Sequence, residues 1–260
     1  MNLLLLHEEE CQGPLVWLTD RRADHLRQVL KVASGDSVRA AIIGRGGIVA
    51  QVQEVSDGKV LLKLGDTVPW PAPVDHVVLA IPRPKALSRI VQTVSSFGAR
   101  SLTLISAWKV DKSYLNSPRL QPARLLEDAL LGCEQGQQCH VPVLRVVPRF
   151  SLFLAQQHEL YVEPCRRVVL DPRAPRLLHA VLGEAPRDDI QPLSSVLVLG
   201  PDGGFLDQEV QGLVEHGYVP ARLNVGPLRT EAAVAAVLGV RTISRVAWSE
   251  LLPDAVPTPG

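Results

Sequence analysis

Residues 196–205 restrict the possible folds of this chain more than any other segment. Four consecutive apolar residues, typical of a buried strand, run directly into Gly-Pro-Asp-Gly-Gly at 200–204, which we call the first glycine loop. A helical pattern follows over 207–216, and Gly217 is its expected end. Backbone N–H groups are therefore bare at the carboxyl edge of a sheet, where open α/β sheets bind small ligands. The loop matches neither dinucleotide nor P-loop motifs, so alone it indicates either a ligand site or a tight turn.

Composition is that of a packed protein, with 46% hydrophobic and 21% charged residues. Basic and acidic residues balance at 27 each, so local patches must hold any nucleic-acid partner. No early apolar run is long enough for a signal peptide or a membrane span, which predicts a cytoplasmic protein without membrane contact. Cys133, Cys139 and His140 fit no usual zinc spacing, so we expect structural thiols and no metal.

Two patterns of secondary structure divide the chain. The beginning combines short alternating strands, one short helix and Gly-rich hairpin signals, which indicates a small barrel-like β unit. Beyond a Pro-rich linker at 69–73, strands alternate with helices, which requires a parallel sheet. Expected strands lie at 3–6, 15–18, 37–43, 47–55, 59–64, 76–81, 101–105, 168–170, 196–199 and 219–223. Expected helices lie at 23–32, 85–97, 122–135, 207–216 and 230–240.

A second glycine loop, residues 224–229, follows the last expected strand. Neighbouring strand ends of a doubly wound sheet bring such loops together. Gly-Pro-Asp-Gly-Gly-Phe at 200–205 and Leu-Arg-Thr-Glu-Ala at 228–232 resemble the family of ribosomal RNA small subunit methyltransferase E, which belongs to the SPOUT class. The usual family patterns are G-P-E-G-G-F and L-G-x-x-I-L-R-x-E-T-A.

The resemblance extends over nearly the whole chain. His-Leu-Arg-Gln-Val-Leu-Lys at 25–31, with Gly-Asp at 35–36, is similar to the N-terminal signature of the family, H-L-x-x-V-L-R and G-D. Pro-Arg-Pro-Lys at 82–85, Lys-Ser-Tyr at 112–114 and Glu-Gln at 134–135 resemble one of its subgroups.

The resemblance implies an α/β fold with two domains. Residues 1–70 would form a PUA-like, RNA-binding β-barrel, and residues 74–250 a SPOUT methyltransferase domain. The mostly parallel sheet of the second domain would carry a deep trefoil knot. The implied function is S-adenosylmethionine-dependent N3-methylation of a uridine in 16S rRNA of the small ribosomal subunit. The enzyme would act in ribosome biogenesis as a homodimer.

The family binds S-adenosylmethionine in a bent conformation inside the knot. Its adenine needs an apolar slot with backbone groups at the edge, and glycines allow the chain to approach the ligand closely. The residues expected to bind the cofactor are Leu199, Gly200, Pro201, Gly203, Gly204, Leu223, Asn224, Val225, Pro227 and Leu228.

Arg229 is the candidate catalytic residue. Methylation of uracil N3 requires loss of a proton and stabilisation of charge on the uracil oxygens, and an arginine is always charged and forked. A phosphate clamp or an ion pair with Glu231 is the alternative role for Arg229. Glu231 is expected to favour the start of the last helix through its charge. RNA contacts are expected from Arg21, Arg22, Arg27, Lys31, Arg83, Lys85, Lys109, Lys112 and Tyr114.

Five positions depart from the family patterns. Asp202 stands at the usual Glu, Asn224 at a Gly and Pro227 at an Ile. Ala232 replaces a Thr, and Gln138 stands where an Arg is frequent. Two alternatives therefore stay open: the same fold acting on another RNA uridine, and a homologue that binds RNA without catalysis. A test of cofactor binding distinguishes these alternatives, since only an active methyltransferase needs to bind S-adenosylmethionine.

Overall fold

The computed structural model describes residues 2–162, 164–183, 194–223, 226 and 228–249. In these ranges the chain forms two sheets with helices packed around them. The strands are β1 (Leu4–Leu6), β2 (Leu15–Leu18), β3 (Ser37–Ile42), β4 (Gly46–Ser56), β5 (Lys59–Leu64), β6 (His76–Ala80), β7 (Ser101–Ile105), β8 (Val143–Val147), β9 (Cys165–Leu170), β10 (Ser194–Leu199) and β11 (Val219–Ala221). The helices are α1 (Arg21–Asp24), α2 (Pro84–Ser96), α3 (Pro122–Gly136), α4 (Phe150–Leu160), α5 (Leu178–Gly183), α6 (Asp207–Glu215) and α7 (Thr230–Ser249).

The N-terminal sheet has the strand order β1-β3-β4-β5-β2. β1 runs parallel to β3, and the other pairs are antiparallel hairpin neighbours or edge partners. The expected glycine turns join β3 to β4 and β4 to β5. The expected helix at 23–32 begins earlier, at Arg21, because the Asp20 carboxylate accepts the Arg22 N–H and caps it. Its second half is a π-helical turn, His25–Val29, which buries Leu26.

The C-terminal sheet is parallel throughout, in the order β11-β9-β10-β6-β7-β8. Every residue of its central strands β6, β7 and β10 is buried, which is typical of a parallel sheet covered on both faces. α2 packs against α3 and α7, and α4 packs against α6. The predicted parallel sheet is confirmed, and its carboxyl ends meet at one edge.

The expected ranges include no counterpart of β8, α4 or α5 in this region. β8 is an edge strand that is only partly buried, and the charged Arg145 interrupts its apolar run. Pro142 and Pro148 flank it, so the local pattern indicates a loop rather than a strand. α4 follows directly and packs Phe153 into the core.

The two sheets meet through α3. Leu5 of β1 and Leu3, just before that strand, pack with Cys133 and Cys139 in one apolar cluster. The backbone N–H groups of Asn2 and Leu3 each donate to the Glu134 carbonyl at 3.1 Å. No helix in the described part of the chain is both long enough and apolar enough to cross a membrane.

α7 reaches from one edge of the parallel sheet to the other. It begins at Thr230, and just past its middle Arg241 is buried and pairs with the Asp75 carboxylate at 2.9 Å. Asp75 precedes β6 and also accepts the Ser195 N–H at the start of β10. The ion pair therefore holds α7 against the amino ends of the two central strands.

Candidate functional site

A cavity opens at the carboxyl edge of the parallel sheet, between the ends of β9, β10 and β11 and the first turns of α7. Six of the residues predicted to bind a cofactor line it: Leu199, Gly200, Pro201, Gly204, Leu223 and Leu228. Asn224, Val225 and Pro227 lie outside the described residues. The sequence analysis missed other wall residues: Leu170, Asp171, Pro172, Ala221, Arg222, Gly226, Ala233 and Val237.

The first glycine loop is a tight turn that leaves its backbone facing the cavity. The Gly204 N–H donates to the Pro201 carbonyl at 2.7 Å, and Gly204 has a φ of +68°, which L residues adopt rarely. A Cβ on Gly200 would lie 3.1 Å from the Phe205 backbone nitrogen. Glycine at 200 therefore lets Phe205 fold back beneath the loop, where it is buried and contacts Phe150.

Asp202 connects three chain segments at the cavity rim. The Thr230 hydroxyl, at the start of α7, donates to one carboxylate oxygen of Asp202. The Arg83 guanidinium, just after β6, pairs with the other oxygen at 3.0 Å. The residue that departs from the family's usual Glu thus ties the first glycine loop to the second half of the cavity and to an expected RNA contact.

The loop after β7 is fixed to the first glycine loop. The Lys109 ammonium donates to the Gly203 carbonyl at 2.7 Å. The buried Glu209 carboxylate accepts the N–H of Trp108 at 2.8 Å and the N–H of Leu206 at 2.9 Å. Gly203 does not line the cavity, because its carbonyl is turned to this contact. The loops that follow β7 and β10, two strands separated by β6, are therefore joined at the rim.

Arg229 does not itself line the cavity, although the residues on either side of it do. Its neighbours Leu228 and Thr230 line the wall, while the Arg229 side chain is exposed and its carbonyl accepts the Ala233 N–H. Glu231 occupies the first turn of α7, where a negative charge stabilises the positive end of the helix dipole.

The end of β9 contributes a charged group that the sequence analysis did not select. The Asp171 carboxylate accepts from the backbone N–H and the guanidinium of Arg173. Hydrogen bonds from Arg173 to Asp171 and then to Asp207 raise the pKa of the guanidinium above its ordinary value. The signal available in the sequence was a strand ending in Leu-Asp-Pro at 170–172, at the same edge as both glycine loops.

Three of the expected RNA contacts in the N-terminal region hold the fold together. Arg21 makes two hydrogen bonds to the Glu134 carboxylate, at 2.8 and 2.9 Å. Arg22 is buried and binds Glu10, Asp20 and the Leu5 carbonyl. Burial opposes its charge, but the hydrogen bonds of Glu10 and Asp20 outweigh burial and raise the pKa of Arg22. Arg27 pairs with Asp57 at 3.0 Å.

The remaining expected RNA contacts differ in exposure. Lys31, Lys85 and Lys112 are exposed on separate elements. Tyr114 is half-buried and packs against the main core. Lys109 and Arg83 are bound to the first glycine loop, as described above.

Cysteines at the junction between the sheets are buried free thiols. Burial raises the pKa of the Cys133 thiol to about 12 and that of Cys139 to about 11. Within the described ranges, no group of three or more His, Cys, Asp or Glu side chains is arranged to hold a metal ion.

Comparison with known proteins identifies relatives of this chain. A family model described as an RNA methyltransferase domain matches residues 69–241. Ribosomal RNA small subunit methyltransferase E of Treponema pallidum is 26% identical over 261 residues, covering 97% of this chain and 95% of that protein. Ribosomal RNA small subunit methyltransferase E 1 of Borreliella burgdorferi is 24% identical over 242 residues, covering 91% and 95%.

A solved structure shares the fold. Ribosomal RNA small subunit methyltransferase E of Neisseria gonorrhoeae, bound to S-adenosylmethionine, has a TM-score of 0.70 at 21% identity and covers 94% of this chain and 97% of its own. The matched family model spans well over half of the chain, including both described sides of the cavity. The resemblance found in the sequence is thereby confirmed, and the chain belongs to the RNA methyltransferase family, with ribosomal RNA small subunit methyltransferase E among its relatives.

Proposed function

We propose that this chain is an S-adenosylmethionine-dependent methyltransferase that acts on N3 of a uridine in 16S rRNA. The observation that carries the proposal is the cavity at the carboxyl edge, where an apolar wall meets the bare backbone of the first glycine loop. Family membership and the S-adenosylmethionine bound to the Neisseria gonorrhoeae relative support the same conclusion.

The chemistry of the cavity fits this cofactor. Leu199 is buried at the cavity floor, whereas Leu223 and Leu228 are only partly covered, so an adenine ring between them would remove apolar surface from water. A Cβ on Gly204 would meet no protein atom within 4 Å, so the loop leaves open space on that side. Polar backbone groups of the glycine loop suit the methionine portion. When bound, S-adenosylmethionine supplies an electrophilic methyl group.

Arg229 supplies positive charge on the substrate side of the cavity. Loss of the N3 proton spreads negative charge over the uracil oxygens, and a forked guanidinium can hold two acceptors at once. Because the neighbouring residues Leu228 and Thr230 line the wall, the Arg229 backbone belongs to the cofactor side while its exposed side chain reaches outward. We therefore assign Arg229 to the stabilisation of charge on the uracil oxygens.

The wider proposal concerns domains and assembly. Residues 1–70 form a PUA-like RNA-binding barrel and residues 74–250 a SPOUT domain with a trefoil knot, and two copies associate as a cytoplasmic homodimer on the small ribosomal subunit. The five-stranded mixed sheet supports a barrel-like N-terminal domain.

Transfer assays on ribosomal subunits test the function. Purified protein is incubated with 30S subunits that lack base methylation and with S-adenosylmethionine carrying an isotopic methyl label. Mass spectrometry of the nucleosides then identifies the product, and fragment mapping identifies its position. We expect labelled 3-methyluridine in 16S rRNA.

Two other outcomes define the alternatives. Label in a different RNA, or in a different uridine, would assign the same chemistry to another substrate. RNA binding without any cofactor binding at millimolar S-adenosylmethionine, measured by calorimetry, would contradict the enzyme and favour a binding protein. Analytical ultracentrifugation separately tests the homodimer.

A further inference from the structure

Trp108 is the most exposed Trp, Phe or Tyr among the described residues whose side chains are resolved. Its relative exposure is 80%, compared with 43% for Trp17 and 39% for Phe97. A large aromatic surface left in water is unfavourable for a folded monomer, so such a side chain is a candidate for binding a partner. No part of the proposed cofactor site uses it, because Trp108 does not line the cavity.

The backbone around Trp108 is rigid although the side chain is exposed. Ala107 and Val110, on either side of the tip, are buried in the core, and the Val110 N–H donates to the Ala107 carbonyl at 3.1 Å. The Trp108 N–H itself donates to the buried Glu209 carboxylate at 2.8 Å. Trp108 is therefore presented on a preorganised loop, so little conformational entropy would be lost on binding.

Trp108 is also connected to the cavity rim. Its neighbour Lys109 donates to the Gly203 carbonyl at 2.7 Å, and Gly203 lies between Asp202 and Gly204, which line the cavity. A Cβ at residue 203 would come within 3.2 Å of the Lys109 side chain, so glycine permits this close contact. The aromatic side chain is thus held one residue from a direct contact with the first glycine loop.

Two basic side chains stand on the same rim as Trp108, and one of them, Arg83, pairs with the Asp202 carboxylate. Lys109 follows it, and Arg83, 71% exposed, stands on the adjacent strand end after β6. Both cations bind the first glycine loop, so they sit on the same rim. An exposed indole beside cations matches the chemistry of single-stranded RNA, in which bases stack on aromatic side chains while phosphates contact Lys and Arg.

We infer that Trp108 is a stacking platform for an unpaired nucleobase of the RNA substrate, adjacent to the nucleotide that enters the cavity. This inference rests on the proposed function for the identity of the substrate. Stacking on Trp108 would position the neighbouring nucleotide before methyl transfer and leave the cofactor contacts unchanged. Trp108 is in this sense a positioning residue for the substrate rather than a catalytic one.

Steady-state kinetics with 30S subunits test the inference through Trp108→Ala and Trp108→Phe. The matched control is Val162→Ala, an 81% exposed apolar residue at the opposite, amino edge of the sheet. We expect Trp108→Ala to raise the KM for the RNA about 10-fold, in the range for loss of one base–aromatic stack, with kcat and the cofactor Kd within about twofold. Trp108→Phe should recover most of the KM, and Val162→Ala should resemble the wild type.

A binding experiment separates this inference from the proposed function. Addition of an oligouridylate should quench tryptophan fluorescence, and the quenching assigned to residue 108 is the difference between the wild type and Trp108→Phe. This measurement needs no methyl transfer, so it reports stacking even if the transfer assay fails. An unchanged KM in Trp108→Ala, no recovery in Trp108→Phe, or absent quenching would overturn the inference. Conversion of Trp108→Ala to a monomer in ultracentrifugation would also overturn it, by assigning the indole to a protein interface.

Discussion

Glycine turns in the two sheets look alike locally but differ in what they build. Gly58, in the hairpin between β4 and β5, has a φ of +75°, and Gly204, after β10, has a φ of +68°. A Cβ at either position would meet no atom within 4 Å. Yet Gly204 lines the cavity, whereas Gly58 forms a solvent-exposed turn.

Strand direction explains the difference. An antiparallel hairpin returns the chain at once, so successive turns lie at alternate ends of the N-terminal sheet. Every strand of the C-terminal sheet runs in the same direction, so all its following loops collect at one edge. The cavity is therefore a consequence of parallel strand connectivity. The glycines only allow the backbone of the loop to approach a ligand closely.

Valine substitution at both glycines gives the largest expected contrast. Gly204→Val should lower S-adenosylmethionine affinity by at least 100-fold, because a β-branched residue at positive φ must change the turn or fill the space beside it. Gly58→Val introduces the same strain and should leave cofactor affinity within about twofold, while reducing the free energy of unfolding by about 1–3 kcal/mol. Calorimetry and chemical unfolding of both variants measure this. An equal loss of cofactor affinity in Gly204→Val and Gly58→Val would contradict the conclusion that only the glycine at the parallel edge belongs to the cofactor site.

Arg229→Ala should have the next largest effect, on rate rather than on affinity. Loss of a charge-stabilising donor in an active site costs about 10²–10³ in rate, whereas the cofactor wall depends on backbone and aliphatic groups and should keep its Kd. Arg229→Lys should restore part of the rate, since an ammonium cannot reproduce a bidentate contact. Single-turnover transfer to 30S subunits and cofactor titration separate the two quantities.

The control for Arg229 is Arg124→Ala, which removes an exposed arginine on α3 that pairs only with Glu127 among the described contacts. It should leave both rate and affinity unchanged. Parallel losses of rate and affinity in Arg229→Ala would place this side chain in the cofactor wall, contrary to our assignment.

Arg21 and Glu134 test whether the junction between the sheets is independent of the cavity. Their bidentate pair joins a half-exposed guanidinium to a buried carboxylate, at 2.8 and 2.9 Å. A double-mutant cycle with Arg21→Met and Glu134→Gln should give a coupling of about 1 kcal/mol in the free energy of unfolding. The exposed pair Arg124–Glu127 should give about 0.3 kcal/mol in the same cycle. A cofactor Kd that changes with the junction pair would contradict independence.

The smallest expected effect is a loss of stability of the N-terminal region at acid pH. Burial opposes ionisation of Glu10, but the hydrogen bonds and charge of Arg22 prevail and lower the pKa of this carboxyl below 4.5. The stabilisation is therefore complete above pH 4.5 and is lost as the pH falls through the lowered folded value. Thermal unfolding should show a higher Tm for the wild type than for Glu10→Gln, and this difference should narrow below pH 4.5. The corresponding difference in the free energy of unfolding should be under about 1 kcal/mol. A constant difference down to pH 3 would contradict it.

The sequence predicted elements well where one local signal was sufficient. β7 lies at the expected residues, and α2 and α6 begin within one residue of expectation, because apolar periodicity and Pro or Gly boundaries agree there. β8 was missed because an edge strand needs little apolar burial. The last helix extends well beyond the expected end at Val240, and just past that point the buried Arg241 binds Asp75.

The sequence predicted only some of the residues that line the cavity. Leu199, Gly200 and Gly204 belong to a local motif, so they could be identified by reading along the chain. Asp171 and Ala221 lack such a motif, because they join the wall only through the strand order β11-β9-β10. Arg22 looked like a surface cation by its type and neighbours, and only the fold buries it against Glu10 and Asp20.

By itself, the sequence determined the family through its motifs. It determined the parallel sheet and the first glycine loop through apolar periodicity and glycine turns, which act over a few residues. Tertiary structure alone decided which loops meet, since β9, β10 and β11 are separated along the chain and become neighbours by sheet order. It likewise left Trp108 exposed beside the rim while burying Arg22. The burial of a charged residue and contacts between distant segments are properties of the packed chain, so no local pattern of residues specifies them.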